Sequence, residues 1–133
     1  TACVLALNGS TLCASNVGDS GFIIVRGGRA AFQSPQQQHN FNFPFQLGSA
    51  DGGASDHPSS AMRFEIAVQP GEVVICGTDG LFDNVFAEEA ATIVARCHAQ
   101  GDSPEKAANT LCRWVCARVW MRACALVCVR VCV

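Results

Sequence analysis

The chain has 133 residues, half of them hydrophobic and 15% charged, with a formal net charge of −2. That length suits one ordinary domain and is too short for two, and the apolar share excludes global disorder. The nine Lys and Arg residues form no stripe, which excludes a general nucleic-acid binder.

The segment Thr1-Ala2-Cys3-Val4-Leu5-Ala6-Leu7 has no initiator Met, basic leader or cleavage site and already reads as a strand. We therefore expect the chain to begin inside a domain. Asn8-Gly9 is a strong hairpin signal, and Thr11 to Val17 returns as a second strand. After Gly18-Asp19-Ser20-Gly21, the run Phe22-Ile23-Ile24-Val25 has the β-branched and aromatic character of a buried strand. Gly27-Gly28 turns the chain into Arg29 to Gln33.

Residues 34–60 form a long polar segment of the kind that is usually functional or mobile. Within it Phe41, Phe43, Phe45 and Leu47 alternate with polar residues and Pro44, a pattern expected to pack over a sheet edge but not to form a central strand. Met62 to Val68 alternates again, Pro70-Gly71 turns, and Val73-Val74-Ile75-Cys76 is a fully apolar strand. A helix follows, with Glu88 and Glu89 in its positive first turn and Ile93, Val94 and Cys97 on an apolar stripe. Ser103-Pro104 makes a good start for a second helix from about Glu105.

Of nine cysteines, Cys3, Cys13, Cys76 and Cys97 are scattered in apolar runs, as small hydrophobes in a reducing compartment are. The other five crowd residues 112–133, and no C-x-x-C pair occurs, so zinc or thioredoxin chemistry has little support. The tail 113–133 is almost entirely Val, Cys, Arg, Ala, Trp and Met. Arg118, Arg122 and Arg130 speak against a membrane span. A core helix is one reading; the one we favour is translated repeat or intron sequence foreign to the rest of the domain, because these residues share codons rich in G and T.

Three carboxylates attract attention. Asp79 follows an apolar strand and precedes Gly80, where an Asp-Gly turn is the plain reading. Asp83 lies four residues on, over the same face if the segment is helical, and two such carboxylates repel unless a cation or proton sits between them. Asp19 also stands at a strand end, as a turn or capping carboxylate or as a ligand. Three carboxylates converging from strand ends would suit a hard cation such as Mg²⁺ or Mn²⁺, whose bound water attacks phosphorus readily. His39 reads as a surface or packing histidine, His57 and His98 lack a ligand-like neighbourhood, and Arg26 and Arg63 read as solubilising.

Ser15-Asn16-Val17-Gly18-Asp19-Ser20-Gly21-Phe22 resembles the "N-V-G-D-S" motif of the metal-dependent serine/threonine protein phosphatases of type 2C. Val74-Ile75-Cys76-Gly77-Thr78-Asp79-Gly80-Leu81-Phe82-Asp83 is similar to that family's "(S/T)-D-G-L-(W/F)-D" motif. Thr1-Ala2-Cys3 resembles the end of its "G-S-T-A" strand. Gln37-Gln38-His39-Asn40-Phe41-Asn42 with Phe45-Gln46-Leu47 is similar to the organelle-targeted branch. The resemblance covers about residues 1–112, the central part of the phosphatase domain.

It implies an α+β fold, part of a four-layer α/β/β/α sandwich of two antiparallel sheets flanked by helices. It implies hydrolysis of phosphoserine and phosphothreonine in phosphoprotein substrates by two, or three, Mg²⁺ or Mn²⁺ ions, in a monomer without nucleic-acid or membrane partners. Carried over by position, Asp79 matches a ligand of the catalytic metal pair, and Asp19 and Asp83 match an additional, weaker metal. No catalytic residue beyond these ligands is assigned. The family's Asp-Gly-x-Gly-Gly motif, its late Asp-(D/N)-(I/V/L)-T motif and its phosphate-binding arginine are not found in this chain, so the chain alone is expected to be inactive or very weak. A catalytically dead binding module is the alternative. The branch resemblance implies an intracellular place, in mitochondrion or chloroplast.

Overall fold

The structure, a computed structural model, describes residues 1–48, 55–118 and 127–131. Its strands are β1 (Ala2–Asn8), β2 (Thr11–Val17), β3 (Gly21–Arg26), β4 (Arg29–Gln33), β5 (Gln38–Asn40), β6 (Phe43–Pro44), β7 (Met62–Ala67), β8 (Val73–Gly77) and β9 (Val127–Val131). Its helices are α1 (Asp79–Phe82), α2 (Ala87–Ala99) and α3 (Pro104–Arg118), with a 3-10 turn at Pro58–Ser60. The chain divides into two compact units, Thr1–Gly21 with Pro35–Val68, and Phe22–Ser34 with Gln69–Val133.

The first unit is built on an antiparallel sheet of order β1-β2-β7. Asn8 pairs with Thr11, so the tight loop is Gly9-Ser10, one residue later than the Asn8-Gly9 signal suggests. Gly9 has φ +58°, which a glycine adopts without a Cβ penalty. Along β2 the side chains alternate as a strand requires: Leu12, Ala14 and Asn16 are buried, while Thr11, Cys13 and Ser15 are half-buried. The polar segment forms the small β5–β6 pair, with Pro44 in its last, two-residue strand.

The second unit carries a sheet of order β4-β3-β8-β9, in which β3 with β4 and β8 with β9 are antiparallel. Phe22–Val25 of β3 are apolar and buried on both faces, as are Val73–Ile75 of β8 with Cys76 half-buried, as expected of these two runs; β3 ends at the exposed Arg26. Helix α2 lies beside β4 and α3, and α3 lies beside β9. Ile23, Ile75, Leu81, Val94, Leu111 and Val115 are fully or almost fully removed from solvent and form the centre of this core. Residues 107, 111 and 115 recur every four positions on α3, so one helical stripe faces inward. The helix runs unbroken through Cys112 and Arg113 to Arg118.

Helix ends follow the charges in the sequence. Glu88 and Glu89 occupy the first turn of α2, and Arg96 and His98 its last, each complementing the helix dipole. At the start of α3 the Ser103 hydroxyl accepts from the Lys106 N–H at 3.2 Å, the N-cap bond expected of Ser103-Pro104. Arg26 is more than a solubilising residue: its guanidinium pairs with the buried Glu72 carboxylate, which raises the pKa of Arg26 by hydrogen bonding and by charge. No helix among the described residues is long and apolar enough to cross a membrane.

Candidate metal centre

Strand β8 delivers the chain out of the core at Gly77, and Thr78, extended at ψ 177°, breaks the strand before α1. The turn then closes on backbone bonds: Leu81 and Phe82 N–H to the Thr78 carbonyl, and Asp83 N–H to the Asp79 carbonyl at 2.8 Å. Leu81 and Val85 are buried and anchor the turn, which leaves Asp79 and Asp83 exposed. The Gly80 N–H donates to Asp79 Oδ1 at 2.8 Å and restrains that carboxylate. Asn84 Nδ2 donates to the Gly80 carbonyl at 3.0 Å, tying the turn from its far side. The role of Asn84 was not visible in the sequence, where it is one more polar residue after the motif.

Asp19 belongs to the first unit. It is buried, at 8% exposure, in the turn between β2 and β3. Among the described residues none donates a hydrogen bond to its carboxylate, and Ser20 bonds instead to the Thr1 hydroxyl at 2.7 Å. A carboxylate so placed is unfavourable unless water or a cation meets it. Asn16 is fully buried beside it, with Nδ2 donating to the Gly18 carbonyl at 3.4 Å and Oδ1 without a partner.

The three carboxylates fit a hard divalent cation in kind, since all the donors are oxygen. In number they fall short: among the described residues no group of three or more His, Cys, Asp or Glu side chains is gathered to hold a metal ion. The chain therefore offers single carboxylates and one exposed pair, and no complete coordination shell.

A second constellation lies in the polar segment. His39 Nε2 stands 2.9 Å and 3.0 Å from the two Asp56 carboxylate oxygens, and its ring stacks on Phe45 at 4.0 Å and 7°. The Gln46 N–H donates to Asp56 Oδ2 at 2.7 Å. Burial pushes the Asp56 carboxyl up, but these hydrogen bonds and the His39 ring outweigh it and hold the group below its ordinary value. His39, Gln46 and Asp56, with Phe43, Pro44 and Ser55, line a cavity of about 340 Å³. Of the stretch Phe41–Phe45, Phe41 is 98% exposed and packs on none of the described residues, while Phe43, 53% exposed, and the half-buried Phe45 both meet the His39 ring. The reason is the short β5–β6 hairpin, which turns Phe41 outward at its tip. His57 accepts from the Ser59 N–H and starts the 3-10 turn, and His98 is exposed in the last turn of α2.

Comparison with known proteins gives the family and the fold. The family model for protein phosphatase 2C matches residues 54–121. The chain is 48% identical over 111 residues to "Probable protein phosphatase 2C 55" of Arabidopsis thaliana, an alignment covering 84% of this chain and 23% of that protein. Among solved structures, "X-ray structure of the photosystem II phosphatase PBCP" matches with a TM-score of 0.71 and 28% identity, covering 84% of this chain and 42% of that one. The catalytic domain of the serine/threonine phosphatase PstP, in complex with two manganese ions, matches with a TM-score of 0.64 over 96% of this chain and 55% of that one. At 15% identity it shows the fold alone. The chain spans about a quarter of the length of the curated relative it matches.

Proposed function

The chain belongs to the protein phosphatase 2C family, and on that premise we propose that the complete enzyme hydrolyses phosphoserine and phosphothreonine in proteins with the help of Mg²⁺ or Mn²⁺. The observation that carries this is the α1 turn: two exposed carboxylates, Asp79 and Asp83, at the exit of a buried strand, in a family member. Asp79 would contribute to holding the catalytic metal pair, and Asp83 and Asp19 to an additional ion. Bound cations of this kind supply an activated water and neutralise charge on a phosphoryl group.

The chain's own residues do the preparatory work. Leu81 and Val85 fix the turn from below, and the Gly80 N–H holds Asp79 Oδ1 in place. The buried Asp19 sets a negative charge at a strand end without a competing protein donor. Three carboxylates do not make a full site, so this chain alone is inactive or very weak. A phosphoprotein is the substrate class, and the enzyme is a monomer. The likeness to a photosystem II phosphatase and to the organelle-targeted branch supports an organelle, chloroplast or mitochondrion, as its place.

Calorimetric titration of the full-length protein with Mn²⁺ tests the ligand assignment. Binding that weakens in Asp79→Asn supports it. Binding indifferent to Asp79→Asn, or none at all, speaks for structural Asp-Gly turns or a dead binding module.

A further inference from the structure

We propose that Phe86, with Trp114 beside it, is a docking surface for the phosphoprotein substrate, taking a segment that carries an apolar residue flanked by Lys or Arg. The proposal rests on the phosphatase reading above and names the kind of substrate that reading leaves open.

Phe86 breaks two local rules. It is the N-cap of α2, a position that favours Ser, Thr, Asp or Asn, whose side chains accept from the unbonded N–H groups of the first turn. Phe86 makes no such bond, and it is 83% exposed. Apolar side chains on either side of it do find the core: Leu81, Val85, Ala90 and Ala91 are all buried. A residue that gives up a cap and shows its ring to solvent contributes little to the fold, and such breaches gather at functional positions.

A second ring stands at the same helix end. Trp114 of α3 is 44% exposed, and its Nε1–H donates to Oε1 of Glu89, in the first turn of α2, at 3.3 Å. Glu89 is tied in turn to Phe86, whose carbonyl accepts from the Glu89 N–H at 3.0 Å. Aromatic side chains, with much contact area and few torsions to freeze, are the usual anchors of a docking surface.

Charge decides what the surface takes. From Gln69 to Ala95 the sequence holds Glu72, Asp79, Asp83, Glu88 and Glu89 and no Lys, Arg or His. Glu72 is buried and paired with Arg26, whereas Asp79, Asp83 and Glu88 are exposed and Glu89 is half-buried. The cations adjacent in sequence to these contacts are Arg29, next to the Ala30 N–H that reaches Glu88 at 3.5 Å, and Arg113, next to Trp114. The balance stays acidic, so a basic segment is favoured over an acidic one. Asp83 closes the α1 turn just before Phe86, so a segment seated on Phe86 lies beside the turn assigned to phosphoryl chemistry.

The test is steady-state hydrolysis by the full-length protein with Mn²⁺ on p-nitrophenyl phosphate and on two phosphothreonine peptides. One peptide has flanking Leu, Lys and Arg; the other has Ala and Gln in their places. The parent protein is expected to hydrolyse all of them, with KM for the basic peptide about 10-fold below that for the neutral one. Phe86→Ser is expected to erase that difference and to leave kcat and p-nitrophenyl phosphate hydrolysis unchanged, the pattern of lost binding without lost chemistry. Because Ser also caps α2, the variant is expected to hold or raise the unfolding temperature. Glu88→Gln is expected to raise KM for the basic peptide about 2- to 3-fold at low salt and to change nothing at high salt. Equal KM for the two peptides in the parent, or a difference that survives Phe86→Ser, overturns the proposal. A Phe86→Ser protein that unfolds at lower temperature overturns it too, since Phe86 then packs within the full-length protein. A parent dimer that Phe86→Ser dissociates assigns the surface to a second copy instead. No hydrolysis of any substrate by the parent overturns the phosphatase reading itself, and the proposal with it.

Discussion

The Asp83 N–H donates to the Asp79 carbonyl at 2.8 Å, so the two acidic residues occupy one turn of chain, both exposed and four positions apart. Without a cation this pairing is unfavourable, because like charges at that spacing repel. Asp83→Asn is therefore expected to stabilise the metal-free chain by about 0.2–0.5 kcal/mol, while weakening Mn²⁺ binding. Thermal unfolding with and without Mn²⁺ checks both signs. A loss of stability in the metal-free chain would show that Asp83 serves the fold.

Gly18→Ala is expected to destabilise by more than about 1–3 kcal/mol, because it adds positive-φ strain to a steric clash. The clash partners are Thr1 Cγ2 and the Phe45 carbonyl oxygen. Urea unfolding measures the loss. Gly27→Ala is the comparison: a Cβ there has open space, and only the strain of its φ of +56° remains.

Leu111 is fully buried on the inward stripe of α3. Leu111→Ala is expected to cost about 2–5 kcal/mol, through lost burial and the cavity left behind. The same denaturant series checks it, with Trp114 fluorescence as the reporter on the same helix. A cost below about 1 kcal/mol would mean that α3 does not pack as described.

The His39–Asp56 clamp carries a pH dependence with a definite sign. The folded pKa of Asp56 lies below its unfolded value. Its contribution to stability is therefore present above the unfolded value, near 4, and is lost as pH falls through the depressed folded value. NMR titration of the Gln46 amide, which donates to Asp56, is expected to show its transition below the ordinary carboxylate range. A transition at or above that range contradicts the clamp.

Strands β1 to β4, β7 and β8 and the two long helices were legible because their signals are local: β-branched runs, Glu at a helix start, Ser103-Pro104 at the next; β5 and β6, inside the polar segment, and β9, in the tail, were not. The acidic turns were legible as motifs. What the sequence hid depends on contacts between distant residues. Asp56 pairs with His39 across 17 positions, and Gln37 with Gly18 across 19, so neither partner carries a signal of its own. Arg26 reads as a surface charge until Glu72 is brought beside it, 46 residues on. The composition boundary at Arg113 falls inside α3, which continues the inward stripe of Ala107 and Leu111 by one more residue, Val115, while Cys116 is exposed.

The most direct test of the central claim is phosphatase activity of the full-length protein on phosphoserine and phosphothreonine peptides with Mn²⁺. Hydrolysis is expected to require the metal and to fall by at least about 100-fold in Asp79→Asn, since losing a ligand costs more than the 10- to 100-fold typical of an outer-shell partner. Metal-independent hydrolysis, full activity in Asp79→Asn, or no hydrolysis by the full-length protein would contradict it.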